Sequence, residues 1–312
     1  MRKSVLLAQQ ARTMFENETQ LNNEEEQQLR NGTSDSPRIR LCLSLGPFGA
    51  SLKPTQEFGG FYPPPYGPRE YSAEGPNTNF IDDEKAEKEA IEALTVYHSE
   101  RLLLFAQDSE IWSYIDMIAF ETVPLAREAI AIRQTMAQLE VKNIDVDKRK
   151  HWWISFVFPK GQCPQMMDMA GTKLTIPCLI RAVLSSPLRG GGGSSLPIPH
   201  GFGINCTDVG YLPRIINEMK GACEQIRNKI RPFLVLYPNG GGEFDEDLGI
   251  WKEGVSEKVK NEWEKALVDL VSSILSSPDV QWSGVIAGGC CRCDAEQIFR
   301  LSNLLKYIHI EQ

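Results

Sequence analysis

Six times along this chain a short apolar run leads through a loop into a helical pattern, and that alternation limits the possible folds more than any other feature. The runs are Ile39 to Leu45, Asp116 to Phe120, Trp152 to Phe158, Gly203 to Cys206, Phe233 to Tyr237 and Gly284 to Ala287. Each is read as a strand that is apolar on both faces, as parallel strands covered by helices are. Helices are expected over Arg2 to Arg30, with Asn31 and Gly32 as a stop, and over Asp82 to Gln107 as one or two segments. Further helices are expected from Thr122-Val123-Pro124 through Leu139, around Leu174 to Leu184, after Cys206 through Arg227, and through Leu305 at the end. Asp294, with Gln297 three residues on, supplies a capping box for the last of these. A parallel α/β barrel or a doubly wound sheet results.

A chain of 312 residues, 42% hydrophobic, can bury a full core, and the uninterrupted alternation makes residues 1–312 one domain. Residues 187–199, with four consecutive glycines and then Leu196-Pro197-Ile198-Pro199, read as a flexible surface insertion. The run lacks the Lys-Ser/Thr pair and the strand-to-helix setting of a phosphate loop. A formal charge of −8 excludes a nucleic-acid role, because phosphate binding rests on clustered cations. Lys148, Arg149 and Lys150 form the densest basic run and read as a solvated loop. The first residues, MRKSVLLAQQARTMFENE, make a poor signal peptide, and no apolar run is long enough to span a bilayer. The expected setting is cytoplasmic, where eight cysteines serve as thiols or metal ligands rather than disulfides.

The residues able to carry chemistry do not scatter. Ser44, Glu121, Asn205, Cys206, Tyr237, Asn239, Cys290 and Cys291 all fall at or just beyond the C-terminal ends of expected strands, which is the active rim of an α/β barrel. Gly288-Gly289-Cys290-Cys291 is the sharpest motif. Neighbouring side chains on a strand point to opposite faces, so two adjacent cysteines share a ligand only where the backbone turns, and two glycines permit a turn. Cys206, at the end of an earlier strand, offers a third sulfur. Three protein ligands leave tetrahedral zinc one open position, the pattern of a catalytic site. Cys42, Cys163, Cys178 and Cys223 read as small buried hydrophobes, the commonest use of a free cysteine.

Five segments resemble the homocysteine S-methyltransferases in order and spacing: LSLGPFGASL from Leu43, MIAFETVPLAREA from Met117, GFGINCT from Gly201, LVLYPNGGGEFD from Leu234 and GVIAGGCCR from Gly284. The resemblance implies a TIM (β/α)8-type barrel in which Cys206, Cys290 and Cys291 bind Zn2+ and homocysteine sulfur takes the fourth position. It implies a methylsulfonium donor, S-methylmethionine or S-adenosylmethionine, and methionine as product. It also implies that Glu121 holds the homocysteine amino group, while Asn205, Tyr237 and Asn239 orient substrate or ligands. Three thiolates around zinc keep a substrate sulfur nucleophilic enough to attack a methyl carbon without a covalent enzyme intermediate.

The sequence departs from the family in two places. The Asp-Gly-Gly type strand that opens the family's barrel is not found, and Ile39 to Leu45 resembles its third strand. The barrel is therefore expected to lack its first two strands, leaving two exposed edges and lower stability. Cys293 stands where relatives usually carry Thr. Both departures keep open a second reading, a catalytically inactive paralogue whose zinc is structural or regulatory, with Cys293 as fourth ligand.

Overall fold

The computed structural model describes residues 2–27, 39–141, 150–184, 196–225, 231–241, 244–245, 250–251, 257–277 and 281–306. Six strands form one parallel sheet: β1 (Cys42–Leu45), β2 (Met117–Val123), β3 (His151–Phe156), β4 (Gly201–Asn205), β5 (Phe233–Tyr237) and β8 (Val285–Ala287), in that spatial order. Between β5 and β8 a short antiparallel ribbon pairs β6 (Phe244–Asp245) with β7 (Ile250–Trp251). The helices are α1 (Arg2–Gln27), α2 (Glu84–Ala106), α3 (Ser109–Tyr114), α4 (Ala126–Val141), α5 (Ile176–Leu184), α6 (Leu212–Glu224), α7 (Glu257–Leu275) and α8 (Ala295–Leu305). Among the described residues β1 and β8 do not pair, so the barrel-type sheet is not closed. That is the six-strand architecture the sequence predicts.

Register separates the two faces of the sheet. Leu45, Phe120, Ile154, Phe202, Leu234 and Val285 lie in one lateral row and, with Val285 only partly buried, pack under the helices. The other face carries Met117, Ala119, Trp153 and Val235, flanked by Phe233 and Tyr237, as a smaller apolar cluster. Glycines decide the packing there. A Cβ on Gly203 would lie 1.9 Å from Ser155 Oγ, and one on Gly201 would lie 2.4 Å from the Phe233 ring. The GFG of β4 thus makes room for larger neighbours on the strands either side.

Polar contacts fix the opposite end of the sheet. Buried Arg12 of α1 reaches Asp116 Oδ2 at 2.7 Å, and the same oxygen accepts from Leu41 N at 2.8 Å, so α1 is tied to the entry of both β1 and β2. Asp83 caps α2 by accepting from Ala86 N. Asp108 caps α3, a short helix that the sequence reading runs past, by accepting from Ile111 N.

Two expectations change in position. β2 continues through Glu121 to Val123, and the following helix starts at Ala126 rather than Thr122. The cause is a register shift against β3 between Phe120 and Val123, where Thr122 adopts a left-handed φ of 59°. β4 closes at Asn205, leaving Cys206 just beyond it. The stop at Asn31-Gly32, the Lys148-Arg149 pair and the tetraglycine run of the 187–199 insertion lie outside the described residues. The end of that insertion is anchored by Arg133, which donates to Leu196 O at 2.9 Å and Pro197 O at 3.0 Å. No helix among the described residues is long and apolar enough to cross a membrane.

Glycine substitutions test this packing. Gly203→Ala should lower unfolding free energy by about 1–3 kcal/mol in urea denaturation, the usual cost of overpacking. Gly221→Ala, in α6 where an added Cβ meets nothing within 4 Å, should instead stabilise by about 0.5–1 kcal/mol.

Candidate metal centre

The loops leaving β4 and β8 bring three cysteines together. The Sγ atoms of Cys206, Cys290 and Cys291 all lie within 4.8 Å of one another. Cys206 Sγ is 2.8 Å from Cys290 Sγ and 3.9 Å from Cys291 Sγ. Sulfurs bound about 2.3 Å from a common tetrahedral ion sit roughly 3.8 Å apart. One pair already has that spacing, and the closer pair, Cys206 and Cys290 in sulfur-to-sulfur hydrogen-bond contact, must part by about 1 Å around such an ion. All eight cysteines are free.

Electrostatics supply the stronger argument that these residues suit a cation. Hydrogen bonds from Cys206 and Cys290 draw the Cys291 thiol far down, to about 3. Cys206 moves far up, through its hydrogen bonds to Cys290 and Cys291 and through burial. Cys290 is raised on balance: its hydrogen bond with Cys206 pulls it down, but its bond with Cys291, burial and the Cys291 charge outweigh that. One negative charge forms readily and the others are opposed. A cation among the sulfurs removes that opposition, so the donor set fits a divalent metal that favours thiolates.

Backbone hydrogen bonds position the three sulfurs. Cys206 takes a left-handed φ of 47°, uncommon for a residue with a Cβ. It is stabilised by buried Asn205, whose Nδ2 donates to Cys206 Sγ at 3.3 Å and to Thr122 Oγ1 at 2.8 Å. Asn205 Oδ1 accepts from Thr122 N at 2.9 Å. One side chain therefore braces two left-handed residues at the C-terminal ends of β2 and β4, strands separated by β3. Thr207 continues the lattice: its Oγ1 donates to Asn205 O and accepts from Phe158 N, and its O accepts from Asn239 N at 3.0 Å. On the far side Cys290 N donates to Pro238 O, and Gly240 N to Cys291 O, both at 2.8 Å. A Cβ on Gly240 would lie 2.7 Å from the backbone of Arg292 and Cys293, so glycine is what allows these loops to meet.

The glycine pair before the cysteines works differently from expectation. Neither Gly288 nor Gly289 has a positive φ; the left-handed residue is Arg292, at 63°. Gly289 is needed for space, since a Cβ there would sit 2.1 Å from Cys293 Sγ. That sulfur contacts Pro238 O at 4.0 Å and does not join the group, and burial pushes its thiol up to about 12. The reading of Cys293 as fourth ligand finds no support in this arrangement. The capping box of α8 forms as expected, and Gln297 also donates to Gly240 O at 3.1 Å.

The remaining predicted residues gather on the open face beside the sulfurs. The Glu121 carboxylate accepts from Ser44 Oγ. Tyr237 donates to Ser155 Oγ at 2.6 Å, and burial with the Glu121 charge holds its phenol well above the usual range. Asn239 Oδ1 is buried without a hydrogen-bond partner among the described residues. Sequence reasoning missed Ser155, Thr122, Thr207 and Glu57. Glu57 is half-buried within electrostatic reach of Cys290, Cys291 and Glu121, and burial, with the charges of Cys290 and Glu121, raises its carboxyl. Its only sequence signal is its place in the long loop after the first strand.

An open parallel sheet with a thiol triad at its C-terminal rim defines an α/β protein with a cysteine cluster that could hold a metal ion. The homocysteine S-methyltransferase family matches residues 1–305, and the chain belongs to that family. It is 27% identical over 296 residues to homocysteine S-methyltransferase 2 of Zea mays, covering 93% of this chain and 63% of that protein. It is 25% identical to homocysteine S-methyltransferase 3 of Arabidopsis thaliana, covering 88% and 59%. The chain thus spans about three fifths of the length of these curated relatives. Its fold is similar to the metallated form of the homocysteine methyltransferase MmuM from Escherichia coli, with a TM-score of 0.52 at 18% identity, over 97% of this chain and 69% of that one.

Two measurements probe the centre. In metal-free protein Cys291 should be alkylated by iodoacetamide at about pH 6, where an ordinary thiol is protonated, while Cys293 stays unmodified. Asn205→Ala should cost about 1–3 kcal/mol by stranding the buried Thr122 amide, and should weaken metal binding on the order of 10–100-fold in a chelator competition.

Proposed function

We propose that Cys206, Cys290 and Cys291 hold zinc and that the chain transfers a methyl group from a sulfonium donor, S-methylmethionine or S-adenosylmethionine, to homocysteine, giving methionine. The observation that carries the reading is the gathering of three thiols at the rim of a chain that belongs to this family. Zinc bound there supplies a Lewis acid that keeps a substrate thiol deprotonated near neutral pH. In the transfer the homocysteine sulfur forms a bond to the methyl carbon while the carbon–sulfur bond of the sulfonium breaks, and the donor departs as a neutral thioether.

The chain's own residues bind and orient. Glu121, held by Ser44, offers a carboxylate for the homocysteine ammonium. Asn239 Oδ1 is an acceptor with no donor among the described residues, suited to a substrate N–H. Tyr237, fixed through Ser155, lies within electrostatic reach of Glu121 and offers an aromatic surface to the substrate. Asn205 sets the direction of Cys206. The excess of acidic groups around the thiols favours a cationic donor over a neutral one.

Cys290→Ser tests the assignment. Purified unaltered chain should carry one zinc and methylate homocysteine from a sulfonium donor, and the variant should lose both. Full methyl transfer by a variant that has lost its zinc would contradict the proposal. Glu121→Gln should raise the KM for homocysteine roughly tenfold, equivalent to about 1.4 kcal/mol of lost binding, while zinc stays bound.

A further inference from the structure

A buried carboxylate outside the rim has no place in the chemistry above. Glu128 of α4 is fully buried, and both its oxygens are used. Oε1 accepts from Phe48 N at 2.7 Å and lies 3.0 Å from His98 Nε2, while Oε2 accepts from Tyr62 OH at 2.8 Å. Tyr62 and His98 are as deeply buried as the carboxylate. A carboxyl group removed from water needs partners in its place, and here Phe48 N and Tyr62 OH donate to it while His98 Nε2 faces Oε1. Burial and the facing carboxylate keep the Tyr62 phenol protonated, and hence a donor.

The two loop donors are what matter. Phe48 and Tyr62 belong to the long connection between β1 and α2, and one side chain grips that connection at both points. Between the grips the loop folds back on itself. Gln56 N donates to Gly49 O at 2.9 Å, and Gly60 N to Gln56 O at 2.8 Å. The backbones at Gly49 and Gln56 are so close that a Cβ on Gly49 would lie 2.5 Å from Gln56. Aromatic packing holds the first grip: the Phe48 ring stacks on Tyr66 at 3.9 Å and meets Tyr62 and Tyr97 edge-on at 5.2 Å. Arg101 adds a hydrogen bond to Gly46 O at 2.6 Å. The residue after Gln56 is Glu57, the acidic side chain within electrostatic reach of the thiols. A short covalent and hydrogen-bonded path thus leads from Glu128 through Phe48, Gly49 and Gln56 to Glu57.

We propose that Glu128 is a positioning residue: by gripping Phe48 and Tyr62 it fixes the loop that carries Glu57 within electrostatic reach of the thiol triad, where Glu57 contributes with Glu121 to holding a cationic amino-acid substrate. The kinetic part rests on the function proposed above. The structural part does not.

Tyr62→Phe, Glu128→Gln and Glu128→Leu test it in the full chain. Hydrogen exchange without added metal reads the loop itself. The Phe48 and Gln56 amides should exchange faster in Tyr62→Phe and fastest in Glu128→Leu, while Glu128→Gln, which keeps an acceptor for Phe48 N, stays near the unaltered protein. In zinc-loaded protein the KM for homocysteine should rise in the same order, roughly tenfold for Glu128→Leu, with kcat within about twofold. If Glu128→Leu does not fold, Tyr62→Phe decides. Unchanged exchange at both amides overturns the grip, and faster exchange with an unchanged KM overturns the positioning role. If the unaltered chain transfers no methyl group, the functional reading fails, and exchange alone decides whether Glu128 holds the loop.

Discussion

Three sulfur atoms within 4.8 Å of one another cannot all become thiolates unless something positive lies among them. The other features of the rim follow from that crowding. Cys291 ionises easily because its two neighbours remain protonated and donate to it, and those neighbours are held protonated by the charge they help to create. A divalent ion reverses the balance, binding as the remaining protons leave. The site therefore couples metal binding to proton release, and its affinity for metal should fall as the medium becomes more acidic.

Bringing sulfurs from separate loops to one point demands backbone conformations that are unfavourable alone. Thr122, Cys206 and Arg292 are left-handed, each costing on the order of 1–3 kcal/mol. The protein offsets this with a lattice of loop hydrogen bonds rather than with apolar packing. Asn205 braces Thr122 and Cys206, Thr207 joins the loops after β3, β4 and β5, and Pro238 and Gly240 bond the loop carrying the vicinal pair. Below the rim, Gly201 and Gly203 give way to Phe233 and Ser155, and Ser155 in turn holds Tyr237. Strain at the top and close packing beneath belong to one design: a rigid sheet that fixes the directions of a few side chains.

Much of this is legible in the sequence because it depends on local pattern. Apolar runs of strand length mark all six sheet strands, and their C-terminal ends mark the rim on which Glu121, Asn205, Tyr237 and the cysteines lie. What is not legible depends on partners far apart in the chain. β2 runs past Glu121 because Asn205, 83 residues on, stabilises the left-handed Thr122. Gly289 reads as a turn former, yet its function is to leave room for Cys293, a matter of side-chain direction that sequence spacing does not encode. Ser155 looks like an unremarkable strand serine until Trp153 Nε1 and Tyr237 OH are seen to converge on its oxygen. Glu57 lies in a loop without periodicity, and only the folding back of that loop brings it to the thiols.

The central claim is that three protein sulfurs, and no fourth, make up the metal centre, leaving a place for the substrate sulfur. Zinc K-edge X-ray absorption on the metal-loaded chain measures this directly. The account predicts three sulfur neighbours and one lighter atom in the resting protein, with the sulfur count rising to four when homocysteine is added. Four sulfurs in the resting protein, unchanged by homocysteine, would contradict it and indicate a closed structural site.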